Sequence, residues 1–245
     1  MTLLTWFRSA VFNLYFYAWT ALSALVLSPA LVMPRNLGML AARFWVGGVN
    51  LGLRLICGIT VEVKGRERLA NGPVLIAAKH QSAWDTIALL SICGMPAVVL
   101  KRELTWIPLY GWYILVMRMI PIDRSAGAKA LKDMVRRAKA AAAGGRSVLI
   151  FPQGTRVAVG TKAPYQPGVA ALYAQLGLPC VPVALNSGLV WPRRAFRRPP
   201  GRITVEFLPP IPPGLRRDPF MTSLEAQVEA ASDALAAVAK AGPPA

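Results

Sequence analysis

The sequence predicts an α/β fold, in which a mostly parallel twisted sheet is flanked by helices and preceded by a two-helix membrane-anchoring segment. Three observations predict it. Short β-branched runs alternate with helical patterns, the N-terminal region is apolar, and 55% of the 245 residues are hydrophobic. Because no stretch resembles a linker between separate cores, we expect an anchoring segment over residues 1–58 and one α/β domain over residues 59–245.

The N-terminal region carries no charged side chain from residue 9 to residue 33, a length sufficient for a helix to cross or enter a bilayer. The run is longer than a signal-peptide core and lacks a small-x-small cleavage site, which disfavours a cleaved leader. The next apolar segment, residues 37–59, contains Arg43, Arg54 and several glycines. It would be a poor independent span, and a helical hairpin in one leaflet fits it better. The flanking charges leave spanning and one-leaflet insertion both open.

Seven short apolar runs predict strands, at residues 61–63, 74–78, 97–100, 119–122, 148–151, 181–184 and 203–208. Residues 126–143 predict a surface helix that Gly144 and Gly145 end. The last helix is expected to open at Thr222, where Thr-x-x-Glu forms a capping-box pattern. Its apolar stripe is expected to pack in the core, and residues 242–245 are expected to fray. The stripe comprises Leu224, Val228, Ala231, Leu235 and Val238.

The formal net charge of +17 must attract an anionic partner. The apolar N-terminus favours an anionic membrane surface over nucleic acid, since basic side chains gain free energy near anionic lipid. A basic run could dock on headgroups or on an acidic acyl carrier, and a solvated loop is the alternative. The run comprises Arg193, Arg194, Arg197, Arg198 and Arg202.

The three cysteines are scattered and form no Cys-x-x-Cys pair, which argues against zinc and against a disulfide framework. The chain contains neither a P-loop nor a Gly-x-Gly-x-x-Gly motif, so we do not expect it to use ATP or NAD. We expect neither a cofactor nor a metal ion.

His80 is the only histidine, and it follows the apolar run at residues 74–78. This places the imidazole at the carboxyl end of a strand, where open α/β sheets bind ligands. Asp85 lies five residues on, after a turn that can fold its carboxylate towards the ring. The carboxylate would fix the tautomer, and the other ring nitrogen would accept a proton from a hydroxyl group. As the alternative, Ser82-x-x-Asp85 is a helix-start pattern and His80 a structural residue.

Three further motifs follow predicted strands. The segment Phe-Pro-Gln-Gly-Thr-Arg at residues 151–156 offers Gly154 for close backbone approach and Arg156 as a bidentate phosphate ligand. Lys101 and Arg124 follow two other strands. Basic side chains are therefore expected beside the imidazole.

Together these motifs resemble those of the glycerolipid acyltransferases, which include the lysophosphatidic acid acyltransferases. Residues 80–85 match the family's His-x4-Asp block, residues 101–111 with Pro108 are similar to its second block, residues 151–156 to its third and residues 181–184 to its fourth. The four blocks occur in the family's order and cover about residues 60–190. One His-x4-Asp is weakly specific, but four ordered blocks are strongly so.

The resemblance implies that His80, oriented by Asp85, activates the free hydroxyl of a lysophospholipid acceptor. That hydroxyl would attack the thioester of acyl-CoA or acyl carrier protein without an acyl-enzyme. It further implies that Lys101 and Arg156 hold the lipid phosphate, with Arg124 as a further candidate, and that residues 153–156, including Thr155, bind substrate. The expected location is the cytoplasmic face of the inner membrane.

One position departs from the family pattern, because Gln153 stands where the third block usually has glutamate. A carboxamide can hydrogen-bond a glycerol hydroxyl but carries no charge. We expect Gln153→Glu to retain measurable activity. The acceptor therefore stays open between lysophosphatidic acid and another lysolipid, such as a lyso-ornithine lipid. From another class, a non-catalytic basic membrane-binding protein explains the charge but not the His-Asp pair.

Overall fold

A computed structural model of the chain describes residues 2–69 and 72–241. The expected tail at residues 242–245 lies outside the described residues. The described part contains seven strands: β1 (Ile59–Lys64), β2 (Leu75–Ala78), β3 (Ala97–Lys101), β4 (Ile120–Ile122), β5 (Val148–Ile150), β6 (Cys180–Leu185) and β7 (Gly201–Phe207). It contains seven α-helices: α1 (Leu3–Val26), α2 (Arg35–Gly52), α3 (Ala83–Ile92), α4 (Tyr110–Val116), α5 (Gly127–Ala143), α6 (Pro167–Leu176) and α7 (Arg217–Ala241).

The strands form one sheet in the order β1-β7-β6-β2-β5-β3-β4. All neighbouring pairs are parallel except β6 and β7, which run antiparallel. The mostly parallel sheet is therefore confirmed. Strand β2 lies in the middle and is buried along its whole length. Because β2, β5, β3 and β4 are parallel neighbours, the segments after them meet at one edge.

Helices cover the two faces of the sheet in two groups. Buried side chains of α1 to α4 pack on one face with Ile76 and Ala78 of β2. Buried side chains of α5, α6 and α7 pack on the other face with Leu75 and Ala77. Successive β2 residues thus alternate between the two cores, as the strand period requires.

Helices α1 and α2 form the predicted N-terminal pair, and their packing depends on glycine. A Cβ at Gly48 would lie 2.2 Å from the Trp19 ring, so only glycine fits there. The Tyr15 hydroxyl donates to the Gly48 carbonyl at 2.8 Å. Residues Leu3–Val26 and Arg35–Cys57 are each long and apolar enough to cross a membrane, by length and composition only. Only 17% of the most apolar window of α1 is buried in the protein, so most of its apolar surface faces outward.

The C-terminal helix differs from the sequence prediction. Helix α7 begins at Arg217 rather than Thr222, because Pro219 falls in its first turn, where proline needs no hydrogen-bonded N–H. The buried stripe is accordingly shifted, and Val238 is 66% exposed rather than part of the core. The buried positions are Phe220, Leu224, Val228, Glu229, Ser232 and Ala236.

Candidate active site

His80 and Lys79 follow β2 and point to opposite faces of the sheet. The His80 ring stacks on Phe151, a residue of the core beneath α1 to α4, with ring centroids 4.1 Å apart. The Lys79 ammonium instead reaches Glu229 on α7. Because successive side chains alternate between the two faces, the His80 imidazole lies on the face covered by α1 to α4. The Lys79 ammonium lies on the face covered by α5, α6 and α7.

The imidazole and the carboxylate predicted from the sequence are in contact. His80 Nδ1 lies 2.9 Å from Asp85 Oδ2, and the His80 side chain is 13% exposed while Asp85 is fully buried. With Nδ1–H donating to the carboxylate, Nε2 keeps a free lone pair. The pair can therefore act as a general base with an orienting acid.

Asp85 is held in place by the start of α3. Ser82 is the N-cap of this helix and Asp85 its third residue, and together they form a capping box. Asp85 Oδ2 accepts from the Gln81 and Ser82 N–H groups at 2.7 and 2.8 Å. The helix-start pattern is therefore observed, and the N–H donors fix the same carboxylate in contact with the His80 ring.

The third motif lies directly beside the dyad, since β5 is the neighbour of β2. The Val157 N–H donates to the His80 carbonyl at 2.8 Å, which ties the two segments together. Gly154 has φ of +68°. A Cβ there would lie 3.2 Å from Arg124 Nη1, so the guanidinium rests against this glycine. Thr155 is exposed and Arg156 is partly exposed.

Three of the predicted cations stand at the ends of neighbouring strands. Lys101 ends β3, Arg124 follows β4 and Arg156 follows β5. Within residues 2–69 and 72–241, none of their side chains forms an ion pair. The neighbouring Arg102 instead pairs with Asp123 at 2.8 Å. The three unpaired cations are free to bind an anion.

Gln153 is placed differently from its neighbours in the motif. Its side chain is buried, and its amide nitrogen lies 3.4 Å from Glu229 Oε1. The same carboxylate receives the Lys79 ammonium at 2.7 and 2.6 Å and the Tyr165 hydroxyl at 2.9 Å. Burial and the Glu229 charge raise the pKa of Tyr165 above its usual range, so the phenol stays a donor. In the described part of the chain, Gln153 Oε1 has no hydrogen-bond partner.

An apolar cavity of about 440 Å³ lies between α1, α2, α3, α4 and β3. Thr86 and Ile87, the residues directly after Asp85, line it. Its volume falls within the range of roughly 300–1,000 Å³ that is typical of ligand pockets. An elongated apolar group can therefore be sheltered close to the first turn of α3, which holds Asp85.

Two of the three cysteines are poorly suited to nucleophilic attack. Burial raises the pKa of the Cys93 thiol to about 12 and that of Cys180 well above its usual range. Neither therefore supplies a thiolate near neutral pH. No group of His, Cys, Asp and Glu residues that could hold a metal ion occurs among the residues that the structure describes.

The basic run at residues 193–202 is not uniformly exposed. The Arg198 guanidinium is buried, 5.1 Å from the centroid of Phe12 and 4.5 Å from that of Trp191. Its backbone N–H donates to Ser9 Oγ of α1 at 2.9 Å. Arg198 therefore does not belong to a surface patch, because it fastens this loop to α1 through cation–π contacts.

Sequence reasoning missed two parts of the site. Ser187 donates a hydrogen bond to Asp85 Oδ1, and Glu229 neutralises Lys79. The only sequence signal for the first was its position three residues after a predicted strand. For the second, the signal was a lysine at the end of a buried strand, since a buried ammonium requires a partner.

Comparisons with known proteins agree with this architecture. The profile of the acyltransferase family matches residues 60–186. The 1-acyl-sn-glycerol-3-phosphate acyltransferase of Pseudomonas aeruginosa is 40% identical over 152 residues, which are 62% of this chain and 59% of the relative. The enzyme of that name from Limnanthes alba is 33% identical over 196 residues, 79% of this chain and 68% of the relative.

A solved structure has the same fold. The crystal structure of the 1-acyl-sn-glycerophosphate (LPA) acyltransferase PlsC from Thermotoga maritima superposes with a TM-score of 0.80 and covers 95% of this chain and 98% of its own. At 20% identity this likeness concerns the fold. Because the family profile covers more than half of the sequence and includes His80 and Asp85, the chain belongs to the acyltransferase family.

Proposed function

We propose that the protein transfers a fatty acyl group from an acyl thioester to the free sn-2 hydroxyl of lysophosphatidic acid, giving phosphatidic acid. The observation that carries the proposal is the contact of 2.9 Å between His80 Nδ1 and Asp85 Oδ2, which leaves Nε2 free. Among the described residues, three cations without ion pairs follow neighbouring strands at the same edge of the sheet. The names of the relatives point to the same reaction. The donor is acyl-CoA or acyl carrier protein.

In the proposed mechanism His80 Nε2 removes the proton of the lipid hydroxyl as its oxygen attacks the thioester carbonyl. An ester C–O bond forms, the C–S bond breaks, and the proton passes from the imidazolium to the departing thiolate. Asp85 holds the ring and stabilises its positive charge during the transfer. No acyl-enzyme is required, in keeping with the buried thiols of Cys93 and Cys180.

The anchoring role of residues 1–58 belongs to the same proposal. Many apolar side chains of α1 face outward, among them Leu3, Leu14 and Leu25, which are 89, 75 and 68% exposed. A lipid surface that covers them brings an acceptor within reach of the base, because the apolar cavity close to the first turn of α3 is lined in part by α1 and α2. We propose the cytoplasmic face of the inner membrane as the location.

The reaction is tested by thiol release from purified protein, with each thioester donor and a panel of lysolipids. Turnover with lysophosphatidic acid supports the proposal. Turnover only with another lysolipid, such as a lyso-ornithine lipid, would show that this lipid is the acceptor instead of lysophosphatidic acid. Membrane binding without thiol release from any pair would favour the non-catalytic alternative.

We predict that Lys101→Ala and Arg156→Ala each raise KM for lysophosphatidic acid by about 10- to 100-fold, because each removes a charge-assisted hydrogen bond to phosphate. A monoacylglycerol acceptor lacks the phosphate, so its turnover should change by less than about two-fold. Arg102→Ala is the matched control, since this arginine already pairs with Asp123. Equal loss with both acceptors would contradict a phosphate-binding role.

A second prediction concerns the apolar cavity. Ala24 lines it, whereas Ala18 of the same helix is exposed and does not. Ala24→Trp should lower kcat/KM for a long-chain donor about 10-fold more than for an eight-carbon donor, because each methylene excluded from the cavity forfeits about 0.8 kcal/mol. Ala18→Trp should leave the ratio of kcat/KM for the long-chain donor to kcat/KM for the eight-carbon donor unchanged. If Ala24→Trp also leaves this ratio unchanged, the acyl chain binds elsewhere.

A further inference from the structure

Ser187 lies beside the dyad although it is distant in sequence. It begins a short 3₁₀ turn, Ser187–Leu189, that follows β6, and β6 is hydrogen-bonded to β2. The Ser187 hydroxyl donates to Asp85 Oδ1, and both residues are fully buried. The strand that carries His80 and the strand next to it thus place an imidazole and a hydroxyl on one carboxylate.

The hydrogen bonds of Asp85 are divided unequally between its two oxygens. Oδ2 accepts from His80 Nδ1 and from the Gln81 and Ser82 N–H groups. Ser187 is the one donor to Oδ1 among the residues that the structure describes. A buried carboxylate oxygen without a hydrogen-bond donor costs free energy. Removal of the Ser187 hydroxyl should therefore leave the orientation of the Asp85 carboxylate less well fixed.

The turn that carries Ser187 is fixed on both sides. The Gly188 N–H donates to Gln81 Oε1 at 3.0 Å, and a Cβ at position 188 would lie 2.8 Å from Val159 Cγ2. The Asn186 carboxamide oxygen accepts from the Thr204 N–H of β7 at 2.8 Å. The hydroxyl is therefore held at Asp85 by its surroundings, which pre-organises the site.

We propose that Ser187 is a positioning residue, whose hydrogen bond to Asp85 Oδ1 fixes the carboxylate so that Oδ2 keeps His80 in the Nδ1–H tautomer. This inference rests on the proposed function, in which Nε2 must be free to accept a proton. Ser187 itself contacts no substrate, because its hydroxyl faces the carboxylate in a fully buried position. A nucleophilic role is excluded by the same geometry.

The test uses the fact that His80 is the only histidine of the chain. Protein is prepared with ¹⁵N-labelled histidine and a purification tag that contains no histidine. Its ¹⁵N NMR spectrum then contains one imidazole, so the tautomer of His80 can be read without resonance assignment. Wild type should show a protonated Nδ1 and an unprotonated Nε2. Ser187→Ala should show a mixture of tautomers and lower kcat about 10- to 100-fold, with KM for both substrates within about two-fold. Ser187→Thr, which keeps the hydroxyl, should restore both readouts.

Ser232→Ala is the matched control, because it removes a buried serine hydroxyl on α7 that has no hydrogen-bond partner within residues 2–69 and 72–241. Both readouts should stay at the wild-type level. If Ser187→Ala does not fold, Ser187→Cys offers a weaker donor of similar size and should give an intermediate loss. Unchanged kcat and an unchanged tautomer in a folded Ser187 variant would overturn the inference. A wild type without turnover would instead refute the proposed function, and the tautomer would still report on Ser187.

Discussion

Replacing His80 with alanine is expected to lower kcat by about 100- to 10,000-fold, the range that general-base assistance supplies. No other histidine is present to take over the proton transfer. KM for both substrates should change little, because the cations at Lys101, Arg124 and Arg156 and the apolar cavity stay intact. The measurement is thiol release by purified protein with acyl-CoA and lysophosphatidic acid.

His80→Gln separates the proton transfer from the hydrogen bond. Glutamine offers an acceptor to the lipid hydroxyl but cannot carry the proton to the thiolate. It should therefore be as inactive as the alanine variant, while both unfold at temperatures close to the wild type. A folded His80→Ala protein that keeps activity within about ten-fold of wild type would rule out the imidazole as the base.

Local patterns explain how much of the fold could be predicted. All seven strands appear where short apolar or β-branched runs predicted them. The runs of β2, β5 and β6 are buried along their whole length, as expected for the centre of a largely parallel sheet. The dyad could be predicted because His80 and Asp85 are five residues apart and share one turn. The predicted start of α7 is five residues too late, because Thr222-x-x-Glu225 has a capping-box pattern inside a helix that begins at Arg217.

Long-range contacts explain what could not be predicted. Ser187 lies 102 residues from Asp85, and Glu229 lies 150 residues from Lys79. Which strands become neighbours decides the first contact, and the packing of α7 on the sheet decides the second. Neither contact can be read from the spacing of apolar residues within one strand or helix. Sequence can indicate that buried Lys79 needs a carboxylate, but it cannot choose among the acids of the chain.

The second large effect concerns this buried ion pair. Glu229→Gln should destabilise the protein by about 3–5 kcal/mol, because it leaves the Lys79 ammonium buried without a counter-charge. For a chain of this size that corresponds to a fall of roughly 6–20 °C in Tm, measured by tryptophan fluorescence in detergent. Glu225→Gln on the exposed side of α7 is the matched control and should shift stability by less than about 0.5 kcal/mol.

Removing both charges tests whether Glu229→Gln loses stability because the Lys79 ammonium is left buried without a counter-charge. Lys79→Met combined with Glu229→Leu should recover most of the lost stability, since an apolar pair of similar volume avoids the desolvation cost. A double variant as unstable as Glu229→Gln alone would show that Glu229 acts mainly through Tyr165 and Gln153 instead. Together with the single variants Lys79→Met and Glu229→Leu, the double variant gives the interaction free energy between Lys79 and Glu229.

The same ion pair explains why glutamine is suited to position 153. Its amide nitrogen lies 3.4 Å from Glu229 Oε1, so Gln153→Glu would place a second carboxylate beside that of Glu229. We expect this variant to retain measurable activity but to unfold at a lower temperature, because like charges at this distance repel. Gln153→Glu combined with Glu229→Gln should be more stable than Gln153→Glu alone, since a single carboxylate then remains at this contact. If the double variant is less stable than either single variant, positions 153 and 229 do not interact through charge repulsion.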